Sequence, residues 1–341
     1  MPTSSRQCAN HRSKSRKIAR TSGKLRGVPR PTRTDADLVR VANAIANDDH
    51  PSISYMGRLF VQVSLPYRDP GPDVPVWTRR NGDLTLFVQP GFVQTREGDT
   101  VSVGYPSGVM PRLLVNWIST EVARTRSAEL ELGASLNTFM AKLNLTPTGG
   151  KNGSITKLRQ QMERLFNARL SVRRDTADKQ TGIALNIAKA WELHWPSHAE
   201  HPGQTSLLPS VVQLSEDFYQ QLVENPVPVS MDALIALRGS ALRLDIYAWL
   251  TYRMSYLQKP TTISWESLRG QFGSSLADTR SGRAQFKRDF TRNLAQVLKV
   301  YPQARAEILD TGLKLRPSQT HVPFRGLGPL RYGRLPGRKL S

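Results

Sequence analysis

The chain has 341 residues, enough for two domains of ordinary size, each burying its own core without a disulfide or metal staple. Hydrophobic residues make up 38% and never run unbroken for about 18 positions, which excludes a membrane-spanning helix. The single Cys8 excludes an internal disulfide and the paired-cysteine zinc sites, while 48 Lys and Arg against 27 Asp and Glu leave a net charge of +21 and a pI near 10.6, the balance of a protein that meets a polyanion.

Much of that charge sits at the ends. Residues 1–34 carry ten Lys or Arg and no acid, and residues 317–341 carry five and no acid. Such segments cannot bury enough apolar surface to order themselves, so 1–35 and 317–341 are expected to be disordered basic tails that hold phosphate through counterion release. Behind the amino-terminal basic residues there is no apolar stretch of a secretory signal, which predicts a cytoplasmic, reduced setting and leaves Cys8 without an assigned function. The arm also lacks the apolar face of a helix that lies on a membrane.

After the arm, Asp37 to Ala46 reads as a short helix with Leu38, Val41, Ala42 and Ile45 on one side. Alternation of Leu59, Val61, Val63 and Leu65 predicts a strand, and the Asn81-Gly82 turn signal before Leu84 to Gln89 predicts a hairpin. These residues form a small α/β lead-in, 36–105. From Pro111 the period becomes helical through Leu113, Leu114, Trp117, Ile118 and Val122 and is read as mostly helical to Leu170. A short helix over Gly133 to Leu145, the turn Thr146-Pro147-Thr148-Gly149-Gly150 and a longer helix from Ser154 to Arg169 give the order of a helix-turn-helix. The longer helix turns Ile155, Leu158, Met162, Leu165 and Phe166 to one side. Lys157, Arg159, Gln160 and Arg164 fall on the other, with Lys151 and Asn152 just before it, as candidates for DNA contact. The β-like stretch that follows would be the wing, with Arg173, Arg174 and Lys179 placed to meet phosphate.

The same grammar repeats after Pro226 and Pro228. Ser240 to Leu257 is a helix, Ser264 to Phe272 a short one, and Gly282 to Val300 a long one with Phe286, Phe290, Leu294, Val297 and Leu298 inward. Its outer side carries Gln285, Lys287, Arg288, Arg292 and Asn293, preceded by Arg280 and Arg283. Glu307 to Arg316 alternates as a second wing ending in Lys314 and Arg316. One such face could be a solvated helix surface and nothing more; two in matching positions favour a double reader of DNA.

Sites of covalent chemistry are poorly supported. Thr148-Gly149-Gly150-Lys151 resembles a phosphate loop, but the first Gly of that pattern is missing and Asn152 replaces its Ser/Thr. His194, His198 and His201, near Glu192 and Glu200, are spaced like metal ligands, but Pro196 and Pro202 interrupt any helix that would align them. Tyr247, Tyr252 and Tyr256 lie on a helix, yet the His pair a nicking enzyme would require is missing. Trp117, Phe139, Trp249 and Phe290 read as core. The chain is therefore expected to be no enzyme and to need no cofactor or metal.

Leu237-Arg238-Gly239-Ser240-Ala241-Leu242-Arg243-Leu244-Asp245-Ile246-Tyr247-Ala248-Trp249-Leu250-Thr251-Tyr252-Arg253 resembles the plasmid-encoded RepA-type replication initiators. The likeness extends to Pro111-Arg112-Leu113-Leu114, Trp117-Ile118-Ser119-Thr120-Glu121, Leu132-Gly133-Ala134-Ser135-Leu136, Gln160-Gln161-Met162, Ile263-Ser264-Trp265, Gln271-Phe272-Gly273 and Tyr301-Pro302, about residues 80 to 316. The resemblance implies initiation at repeated origin sites in duplex DNA, winged-helix binding, local strand opening, recruitment of host replication proteins and a homodimer in balance with monomer. The combined expectation is an α+β chain of two tandem winged-helix modules, 106–226 and 227–316, with a transcriptional regulator or autorepressor as the alternative and a nickase or primase as a weaker one.

Overall fold

The computed structural model describes residues 33–195, 208–224, 226–273 and 276–322. Most of the two expected tails lies outside them, as do Cys8, His198, Glu200 and His201. The chain begins with helix α1 (Arg33–Ala46), strand β1 (Ile53–Gly57) and a short helix α2 (Arg58–Gln62), followed by β2 (Trp77–Asn81), β3 (Leu84–Gln89), β4 (Gly91–Gln94) and β5 (Thr100–Gly104). The expected helix near 37–46 and the hairpin at Asn81-Gly82 are present, but the strand expected over 59–65 is not. Phe60, Val61, Val63, Ser64 and Leu65 are all buried, so the alternation of residue types never divided an inner from an outer face.

Two units with one plan follow. The first comprises α3 (Val109–Thr125), β6 (Glu129–Gly133), α4 (Leu136–Lys142), α5 (Ser154–Asn167), β7 (Arg169–Asp175), β8 (Gln180–Asn186), β9 (Ala188–Glu192), β10 (Ser210–Leu214) and α6 (Glu216–Glu224). After β11 (Pro226–Ser230) and α7 (Met231–Leu237), the second comprises α8 (Ala241–Tyr256), β12 (Thr261–Ser264), α9 (Trp265–Phe272), α10 (Arg280–Val300), β13 (Arg305–Ile308) and β14 (Gly312–Arg316). In each unit a strand after the first helix pairs with the last strand of the hairpin after the third, giving the orders β6-β10-β9 and β12-β14-β13. The α+β class is thus observed, and Ser135, Ser240, Ser264 and Thr279 accept from backbone N–H groups three residues on, starting their helices as hydroxyl N-caps do.

Two differences from the sequence reading concern the first unit. A strand, β6, interrupts the stretch read as helical, because Leu130 and Leu132 point inward while Glu129 and Glu131 point out. The hairpin expected as its wing, β7 with β8, instead joins the lead-in in the sheet β2-β3-β7-β8, and it is β9 with β10 that completes the unit's own sheet.

The lead-in belongs to both units. β1 pairs with β11, from Ile53 opposite Ser230 to Gly57 opposite Pro226. α1 packs on α7 and α10, where Asp35 accepts from Gln296 at 3.0 Å and pairs with Lys299 at 2.7 Å. Arg79 of β2 is 1% exposed and donates to Ser64 Oγ and to the Gln271 carbonyl of α9, with its guanidinium over the rings of Tyr67 and Trp77 at 4.5 and 4.8 Å. A continuous apolar core runs from Leu38 through both units to Leu315.

Inside that core lies an ion pair. Arg112 of α3 meets Asp245 of α8 through two parallel bonds of 2.8 Å, both side chains being about one-twentieth exposed. The remaining N–H groups of Arg112 donate to the carbonyls of Leu65, Pro66 and Gly108. Burial opposes the Arg112 charge, and Asp245 outweighs it, leaving its pKa above the ordinary arginine value. Removing one partner leaves the other charged and unpaired inside the core. Asp245→Ala is expected to lower unfolding free energy by about 3–5 kcal/mol in denaturant melts; a loss below about 1 kcal/mol would show that the pair is not what joins α3 to α8.

A second buried polar contact closes the carboxyl-terminal end of the described chain. Tyr247 accepts from the Ser230 N–H at 2.9 Å and lies 2.8 Å from His321 Nδ1, while the His321 ring stacks on Tyr301 at 4.6 Å. Burial, opposed in part by a hydrogen bond to the Val300 backbone, lowers the His321 pKa to about 4. Since an unfolded His titrates near 6.5, the unfolded chain binds the proton first, and stability present above about pH 6.5 falls as pH drops toward about 4, by up to about 3 kcal/mol. Melting temperatures across that range should fall in the parent chain, and His321→Gln should remove the part of the fall due to this group.

Candidate nucleic-acid interface

The loop before α5 is closed on itself. Ser154 Oγ accepts from the Thr148 N–H and donates to the Thr146 carbonyl, Ser154 N–H donates to Thr148 Oγ1, and Ile155 N–H reaches the Thr148 carbonyl. A Cβ at Gly153 would stand 2.2 Å from the Thr148 oxygen, so only glycine lets the loop return this closely. The N–H groups of Thr148, Gly153, Ser154 and Ile155 are thereby engaged within the loop. Lys151 and Asn152 project from it into solvent.

Along α5 the buried side is Ile155, Leu158, Gln161, Met162, Leu165 and Phe166. Lys157 and Gln160 are exposed opposite it, while Arg159 is half-buried and its pKa is drawn below the ordinary arginine value by burial. Arg164 departs from the expected role. Its side chain is 14% exposed, pairs with Asp69 at 2.8 Å, and donates to the carbonyls of Val103 and Tyr105. A Cβ at Gly104 would come within 2.8 Å of that guanidinium, and φ there is +84°, so the β4–β5 hairpin is built around Arg164. Glu163, exposed on the same side of α5, places an acid among the cations.

On α10 the exposed face carries Arg280, Arg283, Arg288 and Arg292. Arg280 has no acidic partner among the described residues. Arg283 pairs with Asp278 at 2.8 Å, and its hydrogen bond holds the Asp278 carboxyl below the usual carboxylate range. Farther along, Arg288 donates to Gln285 Oε1 at 2.6 Å, Gln285 donates to Asp289 at 2.7 Å, and Arg292 pairs with Asp289 at 2.6 Å, so one carboxylate organises three expected contact residues. Asn293 is buried and donates to the Asp289 carbonyl, which removes it from the outer face on which it was expected.

The hairpin residues divide likewise. Arg173 and Arg174 lie within β7 rather than at a wing tip, the first beside Asp175 and the second beside Asp83. Lys287 stands 5.1 Å from the Trp265 ring centre and 3.8 Å from Asp310, which occupies the exposed turn of the second hairpin. That turn is acidic; the expected cations Lys314 and Arg316 are on β14 itself, with Arg316 3.5 Å from Glu307. The acids Asp278, Asp289 and Glu307 were not included in the sequence-based interface. The i to i+4 spacing of Gln285 with Asp289, and the i to i+3 spacing of Asp289 with Arg292, was a signal for two of these contacts. Arg164→Met is expected to raise amide exchange across residues 91–104 while leaving the base preference of any bound DNA unchanged. A changed preference with an undisturbed hairpin would return Arg164 to the interface.

Residues 105–267 match the family described as Plasmid encoded RepA protein. No curated protein matches the chain. The crystal structure of SeMet derivatives of domain2 and domain 3 of RctB is similar over 76% of this chain and 96% of that chain, with 7% sequence identity and a TM-score of 0.45, a likeness too slight to argue from. The matched segment begins just before α3, takes in Arg112 and Asp245 of the buried pair together with α5, and ends within α9. The match to the plasmid-encoded RepA family thus spans residues 105–267, a little under half of the chain.

Proposed function

We propose that the protein initiates plasmid replication by binding repeated duplex sites at an origin through two winged-helix units. The observation that carries this reading is the repeat of one topology within a chain that matches the RepA family, each copy placing a cationic third helix toward solvent. In this reading α5 and α10 enter two major-groove segments roughly 10 base pairs apart, and the hairpins and basic tails hold phosphates. Arg288 and Gln160 have the chemistry to read base edges, while Lys151, Lys157 and Arg280 suit phosphates. Repeated binding would bend and unstack an adjacent AT-rich tract, with host replication proteins recruited there and a homodimer in balance with the bound monomer. No covalent step or cofactor is required, and the setting is the bacterial cytoplasm. No helix among the described residues is long and apolar enough to cross a membrane.

Footprinting on the DNA beside the gene, at about 150 mM salt with competitor present, tests the reading against electrostatic binding alone. Regularly spaced protection over direct repeats is the expected result. Protection confined to a promoter would instead make the protein a regulator, and absence of specific protection would overturn the double reader. Arg288→Ala is expected to lose about 1–3 kcal/mol of discrimination between sites. Lys157→Ala should weaken all duplexes alike and lower the salt slope by about 1.

A further inference from the structure

A cleft of about 920 Å³ beside α10 is lined by Arg68, a cation that the helix-face reading leaves out, and by Arg292. Its walls come from the segment after Leu65, the start of α8 and one flank of α10. Two acids line it, and both are engaged: Asp69 with Arg164, and Asp289 with Arg292 and Gln285. Arg68 lines the cleft, exposed and without a hydrogen-bond or acidic partner among the described residues.

Arg243, in the first turn of α8, folds its guanidinium back over Gly239, where a Cβ would stand 3.7–4.0 Å from its atoms. The side chain is half-buried, its Nε is enclosed without a hydrogen-bond partner, and no acid among the described residues balances it. Burial first, and then the nearby charge of Arg292, depress its pKa. A partly desolvated cation with a like charge for its neighbour is stabilised by an anion, and guanidinium forks match phosphate oxygens.

Arg292 connects this cleft to the candidate reading face. It lines the cleft, yet its side chain is 74% exposed and it lies one helical turn from Arg288. An anion seated between Arg243 and Arg292 would therefore lie at the flank of whatever groove α10 enters, which is where the backbone of that duplex runs.

We propose that the rim of this cleft is a phosphodiester site in which Arg68, from the lining, and Arg243, which stands over the lining residue Gly239 and does not itself line the cleft, hold a backbone phosphate of the duplex engaged by α10, with Arg292 at its border. The proposal rests on the reading that the protein binds duplex DNA and adds the contact that sets the register of α10 on it.

The test uses full-length protein with Arg243→Gln and Arg243→Lys, titrated against an origin-flank duplex and an unrelated duplex over a range of salt. Arg243→Gln is expected to weaken both duplexes by the same factor and to reduce the salt slope by about 0.9 for the lost phosphate contact. Arg243→Lys should retain most of the slope. A scan of single methylphosphonate substitutions should find a position that weakens the parent protein but not Arg243→Gln. Should Arg243→Gln fail to fold, Arg68→Gln in the exposed segment carries the same expectations. Unchanged affinity and slope in a folded variant, or an altered preference between the duplexes, would overturn the site. Loss of inorganic phosphate binding with DNA binding intact would assign the cleft to a free phosphate and overturn the DNA assignment. If the parent protein binds neither duplex, the DNA reading and this site fall together.

Discussion

The pairing of Arg112 with Asp245 is the constraint on which the arrangement of the two units depends. All five guanidinium N–H groups of Arg112 find acceptors: two on Asp245 and three on the backbone at Leu65, Pro66 and Gly108. A charge buried to this extent is tolerable only when its geometry is satisfied, because each ion withdrawn from water carries a cost of several kcal/mol that an imperfect partner does not offset. α3 and α8 are therefore held in one relation, and the segment after Val63 with them. Since α5 packs on α3 and α10 on α8, the orientation of each candidate reading helix is tied to the same pair.

The lead-in serves as a brace rather than as a separate module. Its first helix packs on the second unit, its first strand pairs with the connector, and its central hairpin takes β7 and β8 of the first unit into its own sheet while Arg79 reaches α9. The guanidinium of Arg79 lies between two aromatic rings, and the Tyr67 ring is shared with Arg112 at 4.9 Å. Burial pushes the Tyr67 hydroxyl up to about 12, so it remains neutral beside these cations. Apolar burial supplies the driving force for bringing these elements together, while the directional contacts of two arginines select one arrangement among those that would bury similar area.

The two outward helices are alike in topology and unlike in electrostatics. On α5 one expected cation is drawn inward to anchor a hairpin, and an exposed Glu163 stands among the rest. On α10 Asp289 binds Arg292 directly and reaches Arg288 through Gln285, which restricts how those side chains can swing. Restricted guanidiniums lose less conformational entropy on meeting a fixed pattern of acceptors than free ones do. The second unit is thus the better preorganised of the two, whereas the first presents Lys151, Lys157 and Gln160 with fewer internal ties.

Helical period, hydroxyl caps and turn residues by themselves determined α1, α4, α5, α8, α9 and α10 to within a few positions, and the start but not the end of α3, because these signals are local and the apolar side of each helix is packed wherever the helix goes. Charge gave only the expectation of a polyanion partner, and the segments around Arg112 and Asp245 carried the family likeness. What only the tertiary structure decided was which strands pair and which cations remain outside. The stretch 59–65 expected as a strand opens instead with the helical turn α2, and β7–β8 joined the sheet that β2 and β3 begin, pairings that no local pattern encodes. Arg164, Arg174 and Asn293 look in sequence like any other outward polar residue. Their partners Asp69, Asp83 and the Asp289 carbonyl become neighbours only when the chain is folded, and a charge turns inward only where such a partner waits for it.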